Sequence, residues 1–151
     1  MDSVFNIWET NRLLFLKLVN ELSFKQLNTI PDGYNNNIIW NIGHIITVQQ
    51  ALIYKSSGLD ICLSEEVFNN YKPGSFPNKN ISKENIMDLK LKLTSIIQLT
   101  KADYNTKMFS NFKPFKTNVG FNLSTIDAAF KFNNYHEAMH YGIVKSLSKL
   151  V

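Results

Sequence analysis

The hydrophobic pattern of this chain is helical along most of its length. Apolar residues recur three or four positions apart in four long stretches, the spacing that buries one face of an α-helix. The predicted helices cover residues 3–22, 37–57, 82–102 and 124–151. No stretch alternates between apolar and polar residues for long enough to build a sheet. The pattern therefore predicts an all-α protein: an antiparallel four-helix bundle with long crossover connections, forming one domain over residues 1–151.

Within this pattern, apolar stripes indicate which residues face the core. On the first helix the residues that keep helical spacing are Val4, Ile7, Leu14, Leu18 and Leu22. On the third helix they are Ile86, Leu89, Leu93, Ile96, Ile97 and Thr100. Ser3, Ser82 and Ser124 are the candidate N-caps, because a serine side chain can accept a hydrogen bond from the first helical turn. The connection over residues 59–81 is predicted to hold a short helix at 64–70.

Charge and apolar run length argue against a nucleic-acid or membrane partner. The net charge is +4, but Arg12 is the only arginine and the lysines are spread singly along the chain. Nucleic-acid recognition favours guanidinium groups and a dense basic stripe. The longest apolar runs, such as residues 13–16, are far shorter than the about 20 residues that span a bilayer. We expect a solvated lysine surface, no nucleic-acid partner and no membrane partner.

Cys62 is the only cysteine, so neither an intramolecular disulfide nor a metal site made of several thiolates can form. The N-terminal residues carry acids and lack the basic start and apolar run of a signal peptide. These features predict a cytoplasmic protein.

Two of the three histidines lie one turn apart on the fourth predicted helix. Projected at about 100° per residue, His136 and His140 fall in the middle of its apolar face, with Asp127 and Lys145 on the opposite face. Imidazoles at positions i and i+4 can converge on one cation, whereas a lone core histidine is more often a hydrogen-bonded packing residue. The pair favours a metal site, and core or capping histidines are the alternative.

The third histidine, His44, lies on the second predicted helix and is placed to face the fourth helix. The preceding Gly43 would let another helix approach closely at this point. Because two ligands bind a metal poorly, His44 is the candidate third ligand.

Residues 136–140 also match H-E-x-x-H, the zinc-protease motif in which the glutamate is the general base. In those proteases a third ligand follows downstream, but no His, Asp, Glu or Cys follows His140. We therefore expect no metalloprotease. Glu137 lies at the edge of the apolar face and is a candidate catalytic base or ligand-orienting group. The alternative is a boundary residue that faces the first helix or solvent.

Three features follow one another along the chain. They are Leu27-Asn28-Thr29-Ile30-Pro31-Asp32-Gly33 with Ile39-Trp40-Asn41-Ile42-Gly43-His44-Ile45 after it, then the H-x-x-x-H of His136 and His140, then Gly142. In this ordered set of motifs the chain resembles the DinB family (DinB/YfiT-like metalloenzymes). The resemblance covers essentially the whole chain, and its motifs are specific as an ordered set.

The resemblance implies a four-helix bundle that binds a divalent metal, usually zinc or nickel, through His44, His136 and His140. Three neutral imidazoles leave coordination positions open, which is the arrangement of catalytic zinc sites. The implied activity is that of a metal-dependent enzyme that activates a thiol or water, either a thiol-dependent S-transferase or a hydrolase. Its substrate would be a small molecule, and a low-molecular-weight thiol is the candidate cosubstrate.

The alternative function is a non-catalytic bundle in which the metal is structural or absent and the surface serves oligomerisation. The first helix and its ends, with Phe5, Trp8, Phe15 and Phe24, would then supply the face of a homodimer. A solvent-reachable pocket at the histidines would favour the enzyme, and a sealed apolar site would favour the structural module.

Overall fold

The computed structural model describes residues 1–151 and is mostly helical. Its α-helices are α1 (Asp2–Asn20), α2 (Phe24–Asn28), α3 (Ile38–Ile53), α4 (Glu65–Tyr71), α5 (Lys83–Asn105) and α6 (Ile126–Leu147). A short 3₁₀ turn covers Lys55–Ser57, and strands β1 (Phe115–Lys116) and β2 (Asn122–Leu123) form an antiparallel hairpin. The long helices α1, α3, α5 and α6 correspond to the four predicted helices, and α4 to the predicted short one. None of the helices combines the length and apolar character needed to cross a membrane.

Polar side chains cap three of the long helices at their N-termini. Asn37, Ser82 and Thr125 each accept a hydrogen bond from the backbone N–H three residues further along the chain. The predicted cap at Ser82 is confirmed. Two other predicted caps are wrong, because α1 already begins at Asp2, ahead of Ser3, and because Thr125 rather than Ser124 caps α6.

The hairpin of β1 and β2 lies between α5 and α6 and is absent from the predicted elements. Phe115 pairs with Leu123, which is buried, and Lys116 pairs with Asn122. Gly120 takes a φ of 97° in the connecting turn, a conformation that glycine adopts without steric cost. Strands of two residues are too short to produce an alternating pattern, so no period-two signal marks them in the sequence.

Helix α3 is the most enclosed element of the fold. It contacts α2, α4, α5 and α6, and every residue from Ile38 to Ile53 except Ala51 is buried. Helix α1 packs against α5 and α6. The inner stripe predicted for the third long helix is confirmed, because its six residues are the six buried residues of α5.

The predicted inner face of α1 is right only in part, because Val4, Leu18 and Leu22 are partly buried against the core but Ile7 and Leu14 are not. The buried residues of this helix are Phe5, Trp8, Arg12, Phe15 and Val19, whereas Ile7 and Leu14 are 59% and 42% exposed. The same result removes the predicted dimer face, because Phe5, Trp8 and Phe15 are buried inside the chain and only Phe24 reaches solvent. The buried stripe of α1 has the charged residue Arg12 at its centre. A prediction that counts only apolar residues does not recognise a stripe that contains a charge.

This charge belongs to Arg12, which is fully buried and paired with Glu137 of α6. The guanidinium Nε and Nη2 donate to the two carboxylate oxygens of Glu137 at 2.6 and 2.7 Å. Longer hydrogen bonds, of 3.4 and 3.5 Å, run from the same group to the carbonyls of Leu93 on α5 and Ile45 on α3. Arg12 therefore links α1 to the three other long helices.

The carboxylate of Glu137 has further partners within the core. Trp8 Nε1 and Asn133 Nδ2 each donate to its Oε1 at 2.8 Å. A buried charge destabilises a fold unless it is paired and hydrogen-bonded, and the two-point contact with arginine meets that requirement. The face of α1 that enters the core is therefore the one that brings Arg12 to Glu137.

We expect Arg12→Met to lower the free energy of unfolding by about 3–5 kcal/mol, because it leaves the carboxylate of Glu137 buried without its counter-charge. The double variant Arg12→Met with Glu137→Met should recover much of this loss, since no charge then remains unpaired. Urea denaturation measures both values. The matched control is Lys101→Met, which breaks the surface pair with Glu9 and should cost less than about 1 kcal/mol. Additive losses in the double variant would contradict the proposed coupling.

Candidate metal centre

The three histidines meet where α3 packs against α6. The ring centroids of His44 and His140 are 4.8 Å apart, those of His136 and His140 4.6 Å, and those of His44 and His136 5.3 Å. One ligand nitrogen from each ring lies within 4.8 Å of the other two. His44 and His140 are buried and His136 is partly buried. The structure thus brings together all three residues predicted as ligands.

His44 is held by contacts with α4 and with its own helix. Its Nδ1–H donates to the backbone carbonyl of Tyr71 at 2.8 Å, because a carbonyl can only accept. Trp40 stacks on the imidazole at a centroid distance of 4.7 Å and an interplanar angle of 16°, and its Nε1 donates to the carbonyl of Asn70. The C-terminal end of α4 therefore fixes both rings. With the proton on Nδ1, the lone pair of His44 is on Nε2, which is free to bind a cation.

Gly43 permits this contact with α4, as predicted for a close approach at this position. A Cβ at residue 43 would lie within 2.6 Å of three ring carbons of Tyr71. The Tyr71 ring occupies the space that a side chain would need, and its carbonyl reaches His44 as a result.

His140 is held by a side-chain amide of α3. Its Nδ1 lies 2.8 Å from Asn41 Oδ1, while Asn41 Nδ2 donates to Asn37 O and Asn36 Oδ1. These two donations orient the amide so that its oxygen faces the imidazole, and His140 therefore donates from Nδ1. Its Nε2 is free in the same way as that of His44.

His136 differs from the other two histidines. Its Nδ1 is buried but has no hydrogen-bond partner in the chain. Its ring lies beside Phe132, with centroids 6.3 Å apart. Because no hydrogen-bond partner holds Nδ1, neither the tautomer nor the orientation of the His136 ring is fixed as it is for His44 and His140.

The donor set fits a divalent transition metal. In a tetrahedral zinc site with bonds of about 2.0–2.1 Å, the ligand nitrogens lie about 3.3–3.4 Å apart, so separations of up to 4.8 Å require the rings to close by up to about 1.4 Å when the ion binds. A partner on Nδ1 that leaves Nε2 for the metal is the usual arrangement around histidine ligands, and two of the three rings have it. His44, His136 and His140 are the residues that would hold the ion.

Burial lowers the pKa of all three histidines. The pKa of His136 falls to about 3 and that of His140 to about 4, first because of burial and then because neighbouring imidazoles disfavour a second charge. The pKa of His44 is lowered by burial and partly raised by its bond to Tyr71. All three rings are neutral at pH 7, which is the protonation state that a metal ligand requires.

A pocket of about 420 Å³ opens onto the three imidazoles. Its walls come from α3, from α6, from Pro73 and from the hairpin residues 115–119. Val48, Leu52, Phe132 and Met139 make much of this lining apolar. The histidines are therefore reachable from solvent through a mostly apolar opening.

The side chain of Glu137 points into the core beside Arg12 and does not line this pocket. It is not among the pocket residues, it is fully buried, and its carboxylate accepts four hydrogen bonds from Trp8, Arg12 and Asn133. The sequence left two roles open for Glu137, a catalytic or ligand-orienting group and a residue that faces the first helix. These contacts favour the second role. The buried face of α6 is therefore centred nearer to Glu137 and His140, whereas the helical projection had placed His136 in its middle.

Sequence reasoning missed the groups that orient the ligands. Tyr71 acts through its backbone carbonyl, which carries no signature of residue type. Asn41 lies one turn before His44 and could have been recognised as a buried amide on an otherwise apolar helix. Its partner His140 lies 99 residues away, so only the packing of α3 on α6 reveals the pair.

Comparison with known proteins points to a family rather than to an individual relative. The family model described as the DinB superfamily matches residues 7–144 of the chain. The matched region includes all three histidines and every helix, with only the first turn of α1 and the last turn of α6 outside it. No curated protein matches the chain.

Acidification should destabilise the metal-free protein. In the unfolded chain a histidine binds its proton near pH 6.5, whereas in the fold the three pKa values are lowered. Between pH 6.5 and 5 the unfolded state therefore binds more protons, and the free energy of unfolding falls by up to about 1.4 kcal/mol per pH unit for each histidine. Urea denaturation in chelator at several pH values measures the slope, which His140→Asn should reduce. An unchanged slope would contradict the lowered pKa.

Gly43→Ala should destabilise the protein by about 1–3 kcal/mol, because the new methyl group displaces the ring of Tyr71. Gly142→Ala on α6 is the matched control. A Cβ there meets nothing within 4 Å, so the substitution should stabilise the helix by about 0.5–1 kcal/mol. Chemical denaturation measures both. Stabilisation by Gly43→Ala would show that Tyr71 does not lie against residue 43.

Proposed function

This chain belongs to the DinB superfamily, and on that premise we propose that it is a metal-dependent enzyme acting on a small molecule. His44, His136 and His140 would hold a divalent metal, zinc or nickel, and the reaction would be of the thiol-dependent S-transferase or hydrolase type. A low-molecular-weight thiol is the proposed cosubstrate.

The observation that carries this proposal is the pocket of about 420 Å³ that ends on three neutral imidazoles. A structural zinc site is usually closed by four protein ligands, whereas a catalytic site has three and keeps a position open to solvent. His, Cys, Asp and Glu are the residue types that complete such sites, and only the three histidines form a cluster of them here. An open pocket above three donors therefore supports a catalytic site more than a structural one.

The chain's own residues have distinct tasks in this proposal. The carbonyl of Tyr71 and the amide of Asn41 hold the Nε2 atoms of His44 and His140 toward one point. The apolar walls of the pocket limit the water that reaches this point, which strengthens electrostatic interactions there. A divalent metal held by the histidines would lower the pKa of a thiol or of water and so supply a nucleophile near neutral pH.

We assign Glu137 a structural task rather than that of a general base. A base must reach the substrate with a free lone pair. The carboxylate of Glu137 is instead directed to Arg12, Trp8 and Asn133. Its contribution to the site would be to set the rotation of α6, on which both His136 and His140 lie.

The wider predictions from the sequence belong to the same proposal. The four long helices would form the antiparallel four-helix bundle of the family, with crossover connections between α3 and α5 and between α5 and α6, in one domain over residues 1–151. The proposed location is the cytoplasm, on the argument from the lone Cys62. A homodimer, if formed, would need a face other than the buried aromatic residues of α1.

Metal binding by untagged protein tests the proposal. We expect zinc or nickel to raise the melting temperature by about 5–10 °C when the free ion is about 100 times its Kd, because an ion bound only by the fold adds about 2.7 kcal/mol. His44→Ala, His136→Ala and His140→Ala should each abolish this shift. Cys62→Ser is the matched control, since it removes the only thiol in the chain and should leave the shift intact. No shift with either metal would sink the proposal.

Catalysis needs a separate measurement. Metal-loaded protein should transfer a low-molecular-weight thiol to an electrophile, or hydrolyse its substrate, and should lose this activity in chelator. Tight metal binding without turnover across a panel of thiols and electrophiles would favour the non-catalytic alternative.

Asn41→Ala should weaken the affinity for the metal about 10- to 100-fold, because it removes the hydrogen-bond partner of His140.

A further inference from the structure

From the walls of the pocket above the histidines we infer a ligand class: a small aromatic molecule that carries one negative charge. The inference rests on the proposed function in that it concerns the same pocket. Its support is separate, because it comes from the aromatic and charged groups of the wall and not from the imidazoles.

An aromatic cluster links the hairpin to the pocket. The ring of Phe121 lies 5.1 Å from that of Phe132 and 5.2 Å from that of Tyr135, between centroids. Phe132 in turn lies 6.3 Å from His136. Phe121 and Tyr135 are 43% and 52% exposed. These are distances at which aromatic rings attract one another, and a further planar ring added to the cluster gains the same interactions while it covers exposed apolar surface.

Aliphatic side chains make up another part of the pocket lining. Val48 and Leu52 come from α3, and Met139 comes from α6. The unbranched side chain of Met139 is 45% exposed and can adapt to the edge of a ring. A planar ligand would therefore find both aromatic and aliphatic contacts in this pocket. A volume of about 420 Å³ also lies within the range of small-molecule pockets.

The only charged side chain in the wall of the pocket is positive. Lys116 of β1 lines the pocket, and none of the fourteen lining residues is Asp or Glu. Lys116 is exposed and takes part in none of the ion pairs of the chain. An anionic group on the ligand would meet an unpaired ammonium group and no opposing carboxylate. Beside Lys116 a cationic group would meet repulsion and no compensating carboxylate.

A matched series of naphthalene probes tests this ligand class. Naphthalene-2-carboxylate, naphthalene-2-carboxamide and 2-naphthylmethylammonium have the same ring system and differ in charge. We expect affinity to fall in that order, by about three- to fivefold per step, since one exposed ion pair contributes up to about 1 kcal/mol. Titration calorimetry on the full chain in chelator measures the three dissociation constants without direct coordination of the carboxylate to a metal.

Two lysine variants localise the charge preference. Lys116→Gln should bring the carboxylate and the carboxamide to equal affinity, and Lys116→Glu should make the ammonium probe the tightest of the three. Lys113→Gln is the matched control, because Lys113 is a nearby exposed lysine that does not line the pocket, and it should leave the order unchanged. Phe132→Ala should weaken all three probes together by reducing the aromatic wall.

The outcome separates this inference from the proposed function. Equal affinity of the three probes for the wild-type protein, an unchanged order in Lys116→Gln, or no binding of any probe would overturn the ligand class. Zinc titration run in parallel reports on the metal site alone. Tight zinc binding with no probe binding would reject the ligand class and leave the metal proposal standing, and the reverse result would reject the metal proposal only.

Discussion

The buried ion pair between Arg12 and Glu137 holds the four long helices of this protein in a single arrangement. Arg12 lies on α1, its partner on α6, and its remaining hydrogen bonds end on backbone carbonyls of α3 and α5. Two charges that are out of contact with water must meet with good geometry, or the fold is strongly destabilised. The pair therefore restricts which face α1 presents to the core and how α6 is rotated about its axis.

The position of the histidine cluster follows from this restriction. Ile45, whose carbonyl meets Arg12, comes directly after His44, and Glu137 comes directly after His136. Fixing these neighbours directs the histidines of α3 and α6 toward the same region. Tyr71 and Asn41 then orient two of the rings through Nδ1, while the hairpin supplies the outer wall of the pocket. The histidine cluster thus combines a fixed interior with an outer wall from residues 115–119 of the hairpin.

Several elements could be predicted because their signals are local. The long helices and the cap at Ser82 follow from spacing within a few turns, and the inner stripe of α5 contains no charged residue. The histidines were found because two are one turn apart and the chain has only three. The centre of the inner face of α1 was missed because the residue there is Arg12. Nothing within α1 indicates that a carboxylate 125 residues away would offset that charge.

By itself the sequence determined the order of the helices, the family of the chain and the three histidines that could bind a metal. These follow from periodicity and from residue type, which are properties of short segments. Only the tertiary structure decided that Glu137 faces Arg12 rather than the pocket, that Tyr71 and Asn41 orient the imidazoles, and that aromatic rings and one lysine form the entrance. The physical reason is that each of these is a contact between segments 27 to 125 residues apart or between different elements, and no local pattern encodes such contacts.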